Sequence, residues 1–470
     1  MMMGMEPLHE KVFYGALGFL SGVCVASIGN LWWVVILGII IGGYGYQYKK
    51  STYVLLACFL VIGGLYYNID DAQKRSTRIL FDQPTQFEGI VRKATVDEYG
   101  QKIIINDIQL ILQPYPAYIY GDKLAVQGVI RRPEITYANY LLKNNIVGIM
   151  RYPKVAVIGR GAGNVLMGHL QRIKQRVQET FNRFLRTNDA ALMTGLTLGD
   201  GSQFTKEFKD QLARSGTTHL VALSGYNIVI IAEGVMMLLV GLCRRRFIGI
   251  TAMLCIILFV IMTGGEASVV RAALMGGALI FANEQQRIYH VRNIITLVAA
   301  VMVLQNPKIL VFDVGFQLSF LALIGIIYVR GTVTHLLCID DTKKSILNWR
   351  ENLTTTIAAQ TVVLPMLLVQ FGSFSWSGIL ANMIILPFVP TTMFLGFMMA
   401  LGGFISHALA WTVAPIAHAL LGYEQLVITF FSKFGYTSGV GQINVIYIAL
   451  YYAILASIVL KNNFLHEKNK

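Results

Sequence analysis

Residues 217–234 read TTHLVALSGYNIVIIAEG, and the run continues without a break into the apolar VMMLLVGL. The stretch starts polar and turns apolar. It carries His219, Ser224-Gly225 and Asn227 where a membrane helix ordinarily holds only apolar side chains. A polar group in hydrocarbon is costly unless it has a partner or water, so such groups face a bundle interior or a wet cavity. Ser224-Gly225 also lets a second backbone approach closely, or lets the helix break. Two readings stand: a tolerated small-residue helix contact, or the polar lining of a path through a membrane bundle.

Working outward, composition agrees with a membrane bundle. Of 470 residues, 55% are hydrophobic and 14% charged, more apolar surface than soluble cores can hide. Lys and Arg number 39 against 25 Asp and Glu, a net of +14, part of which is the positive-inside bias. The five cysteines are scattered, without a CxxC pair, and argue against a zinc site or a disulfide framework.

Three apolar runs open the chain, 13–29, 31–46 and 53–67, with no cleavage site for a secretory signal. Lys49 and Lys50 place the second loop in the cytoplasm, so the N-terminus is expected inside and residue 68 outside. From 70 to about 163 apolar and polar residues alternate in short runs, 86–96, 101–112, 122–132 and 146–158. Turn residues punctuate them, which predicts four or five strands and a small barrel of OB type. Residues 70–186 hold 18 Lys/Arg against 10 Asp/Glu. On an external segment the positive-inside bias does not explain that excess. Arg92, Lys93, Arg131 and Arg132 beside Tyr99, Tyr118 and Tyr120 suit a single-strand binding face, where cations follow phosphates and rings stack on bases. A solvated surface touching anionic lipid is the alternative.

Residues 164–188 predict one amphipathic helix, apolar at 166, 170, 173, 177, 181 and 184 and basic elsewhere. The block up to 216 is too polar to span and too apolar to float, which suits a re-entrant or surface-lying element, with Ser202 as cap of its short helix. Arg244–Arg246 marks a cytoplasmic loop. Farther on, Glu266, Ser268 and Arg271 open one apolar run, and Asp313, Gln317 and Ser319 punctuate another. Pro387 and Pro390 break a third. The count closes at about eleven to twelve crossings, with a basic tail inside.

Several of these stretches carry motifs. HLVALSG (219–225), GLTLGD ending at Asp200, SGTTHL (215–220), ASVVRAALM (267–275) and NPKILVFDVGFQLSF (306–320) resemble signatures of the competence family, the ComEC-type channels that carry single-stranded DNA into bacteria. GDKLAVQGVIRRPEITYANYLLKNNIVGIM resembles the same family's external β domain, without its disulfide. The recognisable motifs lie between about 70 and 330. Asn227 stands where the family usually has histidine, and Ala267 where it has proline. The resemblance implies a channel lined by Asp200, His219, Ser224, Gly225, Asn227, Glu266, Ser268, Arg271, Asp313, Gln317 and Ser319. It also implies single-stranded DNA and membrane lipids as partners, and a separate DNA receptor, helicase or translocase, and nuclease.

No cofactor and no metal are expected. The eight histidines form no HxHxDH cluster of the family's nuclease-like domain, and no Walker loop occurs. The expected architecture is therefore an α-helical polytopic bundle with an inserted external OB-like β-barrel. Its parts are three N-terminal helices (1–68), the β domain (69–163), interfacial or re-entrant helices (164–216), the channel domain (217–461) and a cytoplasmic tail (462–470). The expected place is the bacterial cytoplasmic (inner) membrane with both termini inside; the oligomeric state stays open. Two alternatives come from other classes. One is a secondary transporter of small solutes or lipid-linked precursors using Arg271 and Glu266. The other is a membrane hydrolase with Ser224 as nucleophile and His219 as base, which lacks a GxSxG turn and an orienting acid.

Overall fold

A computed structural model describes residues 7–76, 79–97, 100–223, 225–239, 245–284, 290–339, 349–372, 374–435 and 444–468. They fall into two compact units. The first is Met1–Arg172 with Val260–Met262 and Val270–Asp313, and the second is Ile173–Phe259 with Thr263–Val269 and Val314–Lys470.

Three apolar helices come first, α1 (Leu8–Ile28), α2 (Leu31–Gln47) and α3 (Ser51–Arg75). Six strands follow: β1 (Pro84–Asp97), β2 (Gly100–Ile105), β3 (Ile108–Leu112), β4 (Lys123–Val129), β5 (Gly148–Arg151) and β6 (Lys154–Gly159), with α4 (Ile135–Lys143) ahead of β5. Next are α5 (Val165–Phe184), α6 (Thr187–Leu198), α7 (Lys206–Arg214) and the one-turn α8 (Thr218–Val221). Then come α9 (Gly225–Leu239), α10 (Arg245–Thr263), α11 (Ala267–Glu284), α12 (Val291–Gln305), α13 (Ile309–Phe312) and α14 (Val314–Ile324). A π segment, Gly325–Val329, joins α14 to α15 (Arg330–Leu336). The chain continues through α16 (Trp349–Phe371), α17 (Ser377–Ile385), α18 (Val389–Ile405), α19 (His407–Ser432) and α20 (Val445–Lys468).

By length and composition α1, α3, the run Val314–Leu336, α16 and α19 can each cross a bilayer. α17 and α18 form a further pair, bent by 52° at a break that contains Pro387. Proline removes a backbone donor, which fits the break that the sequence predicts there. The protein is thus a polytopic helical membrane protein. Among the described residues five or six helices are long and apolar enough to cross, against the eleven or twelve crossings expected from the whole sequence. The remaining apolar stretches, such as Val291–Gln305 and Leu31–Gln47, run to 17 described residues or fewer, short of the about 20 that the hydrocarbon core needs.

In the first unit α1 and α3 meet backbone to backbone. A Cβ at Gly22 would lie 1.9 Å from the Leu60 carbonyl oxygen, and one at Gly63 would lie 2.2 Å from that of Phe19. Small residues at the contact are how helices associate in lipid, where no hydrophobic force drives them together. α3 does not stop near residue 68 but runs two turns on to Arg75, carrying Asp70, Asp71 and Lys74.

The strands form one mixed sheet in the order β5-β3-β2-β1-β4-β6. The run 101–112 splits into a hairpin because Asn106 takes φ +53° and turns the chain, so six strands replace the expected four or five. β1 serves two neighbours: Pro84–Ile90 pairs with β4, and Val91–Asp97 pairs with β2 across a bulge. The bend wraps the sheet around Val91, Ile103, Ile105, Leu110, Leu124, Val126 and Met150, all fully buried. Burying each such side chain is worth about 1.5–3 kcal/mol. A closed barrel is not formed. β5 has four residues, pairs in parallel with β3, and meets the chain beyond β4 through the single bridge Arg131–Ile149, so β5 and β6 remain edges.

In the second unit α6 is buried all round, from Asp189 to Leu198. It therefore does not lie on a surface. α7 starts at Thr205, whose hydroxyl accepts from the Phe208 amide at 3.3 Å. Ser202, the cap expected from the sequence, instead donates its amide to Asp200 at 3.1 Å.

Candidate functional site

On the sheet, alternation puts the hydrophobic core on one face and a basic surface on the other. One outward row runs Lys93, Ile104, Gln109, Ile149, Arg131 across four strands and the bridge; the next runs Thr95, Lys102, Ile111, Arg151. The four cations are exposed, and neither row holds a carboxylate. Lys102 and Arg151 escaped the sequence reading, although period-2 alternation against the apolar Ile103 and Met150 of their own strands would have found them. Arg92 sits at the bulge, 3.7 Å from Asp107, and Arg132 lies over the Phe81 ring. The tyrosines correct the expectation. Tyr118 is 8% exposed and belongs to the core. The Tyr120 hydroxyl accepts from the Asn164 amide at 3.0 Å, and its ring packs on Gly163. Neither offers a free ring to a base; the exposed rings include Tyr115 and Tyr152, the latter beside Arg151. Tyr99 lies outside the described residues.

In the second unit the motifs pack on one another. A Cβ at Gly195 would meet Val221 at 2.4 Å, and one at Gly199 would meet Leu223 at 2.5 Å. Gly199 also ends α6 at φ +67°, the left-handed position that favours glycine. The buried Asn227 amide donates to the Leu196 carbonyl at 3.2 Å, tying α9 to α6. Its polar group is thus spent on a backbone carbonyl. Gly225 is the first residue of α9, His219 is an exposed member of α8, and Ser224 lies outside the described residues. Gly216, at φ +69°, rests on Gly378, and the Ser375 hydroxyl donates to the Arg214 carbonyl, fixing α7–α8 against α17.

Asp200 accepts from Lys174 at 2.8 Å and Gln178 at 3.1 Å, fastening α5 to the end of α6. Burial alone would raise its carboxyl; the Lys174 ammonium and the hydrogen bonds from Ser202 outweigh that and hold it at about 2. A depressed carboxylate stabilises the folded state above its unfolded value of 3.8, and that contribution fades as pH falls through about 4 towards 2. Asp200→Asn should therefore lose about 2 kcal/mol at neutral pH and nothing near pH 2. Unfolding of the two proteins in detergent across that range checks this, and a pH-independent gap would refute it.

Around the NPKILVFD motif the first unit holds an ionic cluster. Lys308 has no exposed side-chain surface and sits 2.5 Å from Asp71. Asn306 accepts from Lys74 at 3.2 Å and donates to the Lys143 carbonyl at 2.7 Å. Lys143 pairs with Asp313 at 2.9 Å. Asp313 thus meets α4 of the sheet region rather than standing alone in an apolar helix. Gln317 and Ser319 follow on α14, half-buried. Glu266 is exposed just before α11, while Ser268 and Arg271 are half-buried in its first turns.

The sequence reading missed the polar residues of α19. His418 Nδ1 and Gln425 Nε2 both reach the buried Asp189 carboxylate, the latter at 2.7 Å. Glu424 accepts from Thr392 at 2.7 Å. The signal was present: a histidine and a glutamate inside an apolar run. Among the described residues no three His, Cys, Asp or Glu side chains converge as metal ligands.

The chain matches the family model described as Competence protein over residues 196–464. It is similar to the ComE operon protein 3 of Bacillus subtilis (strain 168), 28% identical over 218 residues. That stretch is 46% of this chain and 27% of the relative, so the chain spans well under two thirds of that protein. No solved structure matches it. The family match starts in α6, after the sheet, and reaches α20, beyond the last motif legible in the sequence. The end of α6 with α8 and α9, and the whole of α19, lie within it, and this chain belongs to the competence protein family.

Proposed function

We propose that the chain imports single-stranded DNA across the bacterial cytoplasmic membrane during natural transformation, as a channel rather than an enzyme. The carrying observation is the outward sheet face, with four cations in two rows free of carboxylate, on a membrane-spanning chain of the competence family. Cations spaced across strands suit a flexible phosphate backbone better than a compact anion. Lys49, Lys50 and Arg244–Arg246 set the loops that stay inside, which leaves the sheet outside, where incoming DNA arrives. The shorter apolar helices complete the crossings expected from the sequence. A DNA receptor, a helicase or translocase and a nuclease act as separate partners.

Binding of an oligothymidine to the detergent-solubilised chain should weaken linearly with the logarithm of salt. Changing Lys93, Lys102, Arg131 and Arg151 together to Gln should flatten the slope by about 0.7 per cation lost. An unchanged slope would leave the face to anionic lipid, and the DNA reading would fail.

A further inference from the structure

α19 is long and apolar enough to cross a membrane, yet one stripe of it is not apolar. His418, Gly422, Gln425, Thr429 and Ser432 recur at steps of four, three, four and three, which places them on one face over about 20 Å. Two cavities lie along this face. The first, of about 490 Å³, sets Arg186, Asn188 and Asp189 at the start of α6 against His418, Gly422 and Gln425. The second, of about 450 Å³, sets Lys206, Asp210 and Arg214 of α7 against Thr429, Ser432 and Lys433. Gln425 closes the one and Thr429 opens the other, a single turn apart.

A polar stripe of this length is costly against hydrocarbon and calls for water or a polar occupant. The Asp189 carboxylate is already held on both oxygens by His418 and Gln425. Arg186 caps α6 with its carbonyl, which accepts from the Ala190 amide, and its side chain is exposed. Along the groove Arg186, Lys206, Arg214 and Lys433 face Asp189, Glu207 and Asp210, a small cationic excess. Such a balance admits an anionic polymer without trapping it, and passage requires both entry and release.

We propose that the α19 stripe, roofed by the start of α6 and by α7, is the wet path along which the phosphodiester backbone of single-stranded DNA moves. The proposal rests on the import function above.

The test uses the full chain with its own cysteines replaced, in membrane vesicles, and a water-soluble methanethiosulfonate reagent. Only a hydrated thiol ionises and reacts, so Gly422→Cys, Gln425→Cys and Thr429→Cys should label about tenfold faster than Ile416→Cys and Phe430→Cys, exposed on the opposite side of α19. An added oligothymidine should slow the three stripe positions and leave the two controls unchanged. Equal labelling of stripe and controls would show the groove dry and overturn the proposal. Fast labelling that DNA does not slow would show a wet groove that carries something else, and overturn it equally. If the wild-type chain binds no DNA, the import function falls, whereas the labelling contrast is read without DNA and stands apart from it.

Discussion

Gly199→Val is expected to strip the protein from the membrane fraction and, with it, to end transformation. Two costs fall on one atom. The residue sits at φ +67°, where an ordinary L side chain loses about 1–2 kcal/mol and a β-branched one more. The new Cβ would also lie 2.5 Å from Leu223 Cγ and 2.6 Å from its Cδ1, an overpacking that costs about 1–3 kcal/mol where the surroundings cannot move. They cannot move here, because Leu223 is fully buried beside α6. The sum approaches the whole stability of a domain, about 5–15 kcal/mol. Gly276→Ala is the control: nothing lies within 4 Å of the added carbon, so abundance should match wild type. Immunoblots of membranes and unfolding in detergent read the outcome. Wild-type abundance for Gly199→Val would mean that α6 and α8 are not packed as described.

The second large effect belongs to Asp71. Its carboxylate is the direct partner of an ammonium with no exposed side-chain surface, held 5.0 Å above the Tyr67 ring. Burial pushes the Lys308 ammonium below the usual lysine range, and Asp71 is what pulls it back. Asp71→Asn leaves that charge stranded, a loss of about 3–5 kcal/mol for a buried pair broken on one side. Removing both charges, as Asp71→Asn with Lys308→Met, should recover most of the loss. The sign with pH is fixed as well. In the single variant the unfolded chain binds more protons than the folded one, so its deficit should shrink as pH rises towards the ordinary lysine value. A double variant as poor as the sum of the singles would show that the two residues do not act as a pair.

Much of the bundle is legible because it follows from local rules. The proline break between α17 and α18 and the left-handed glycine after α7 each depend on a few adjacent residues. So do the strand runs, except where Asn106 folds one run back on itself. Tyr118 was read as a surface ring because it lies among turn residues. Its burial is decided by strands distant in sequence, which no local pattern reports. Asp313 looked like a polar residue adrift in an apolar span; its partner Lys143 is far away in the chain. The α19 stripe is different, since its spacing is visible in the sequence. It went unread because each polar residue, taken singly, passes as tolerable in a long helix. Ser202 lost the capping role to Thr205, which directly precedes α7 and whose hydroxyl accepts from the Phe208 amide.

The burial of α6 sets a schedule for synthesis. At twelve residues it is about 18 Å long, too short to enter the bilayer alone. It also carries Asp189, Thr194 and Thr197 among its buried groups. Gly396 of α18, which must lack a side chain to admit Met193, and the His418 and Gln425 of α19, which satisfy Asp189, are made about two hundred residues later. At about 5–20 residues per second the ribosome needs roughly 10–40 s to deliver them. For that interval the groups that bury α6 do not yet exist. Its burial is therefore completed late, only after α18 and α19 have been made.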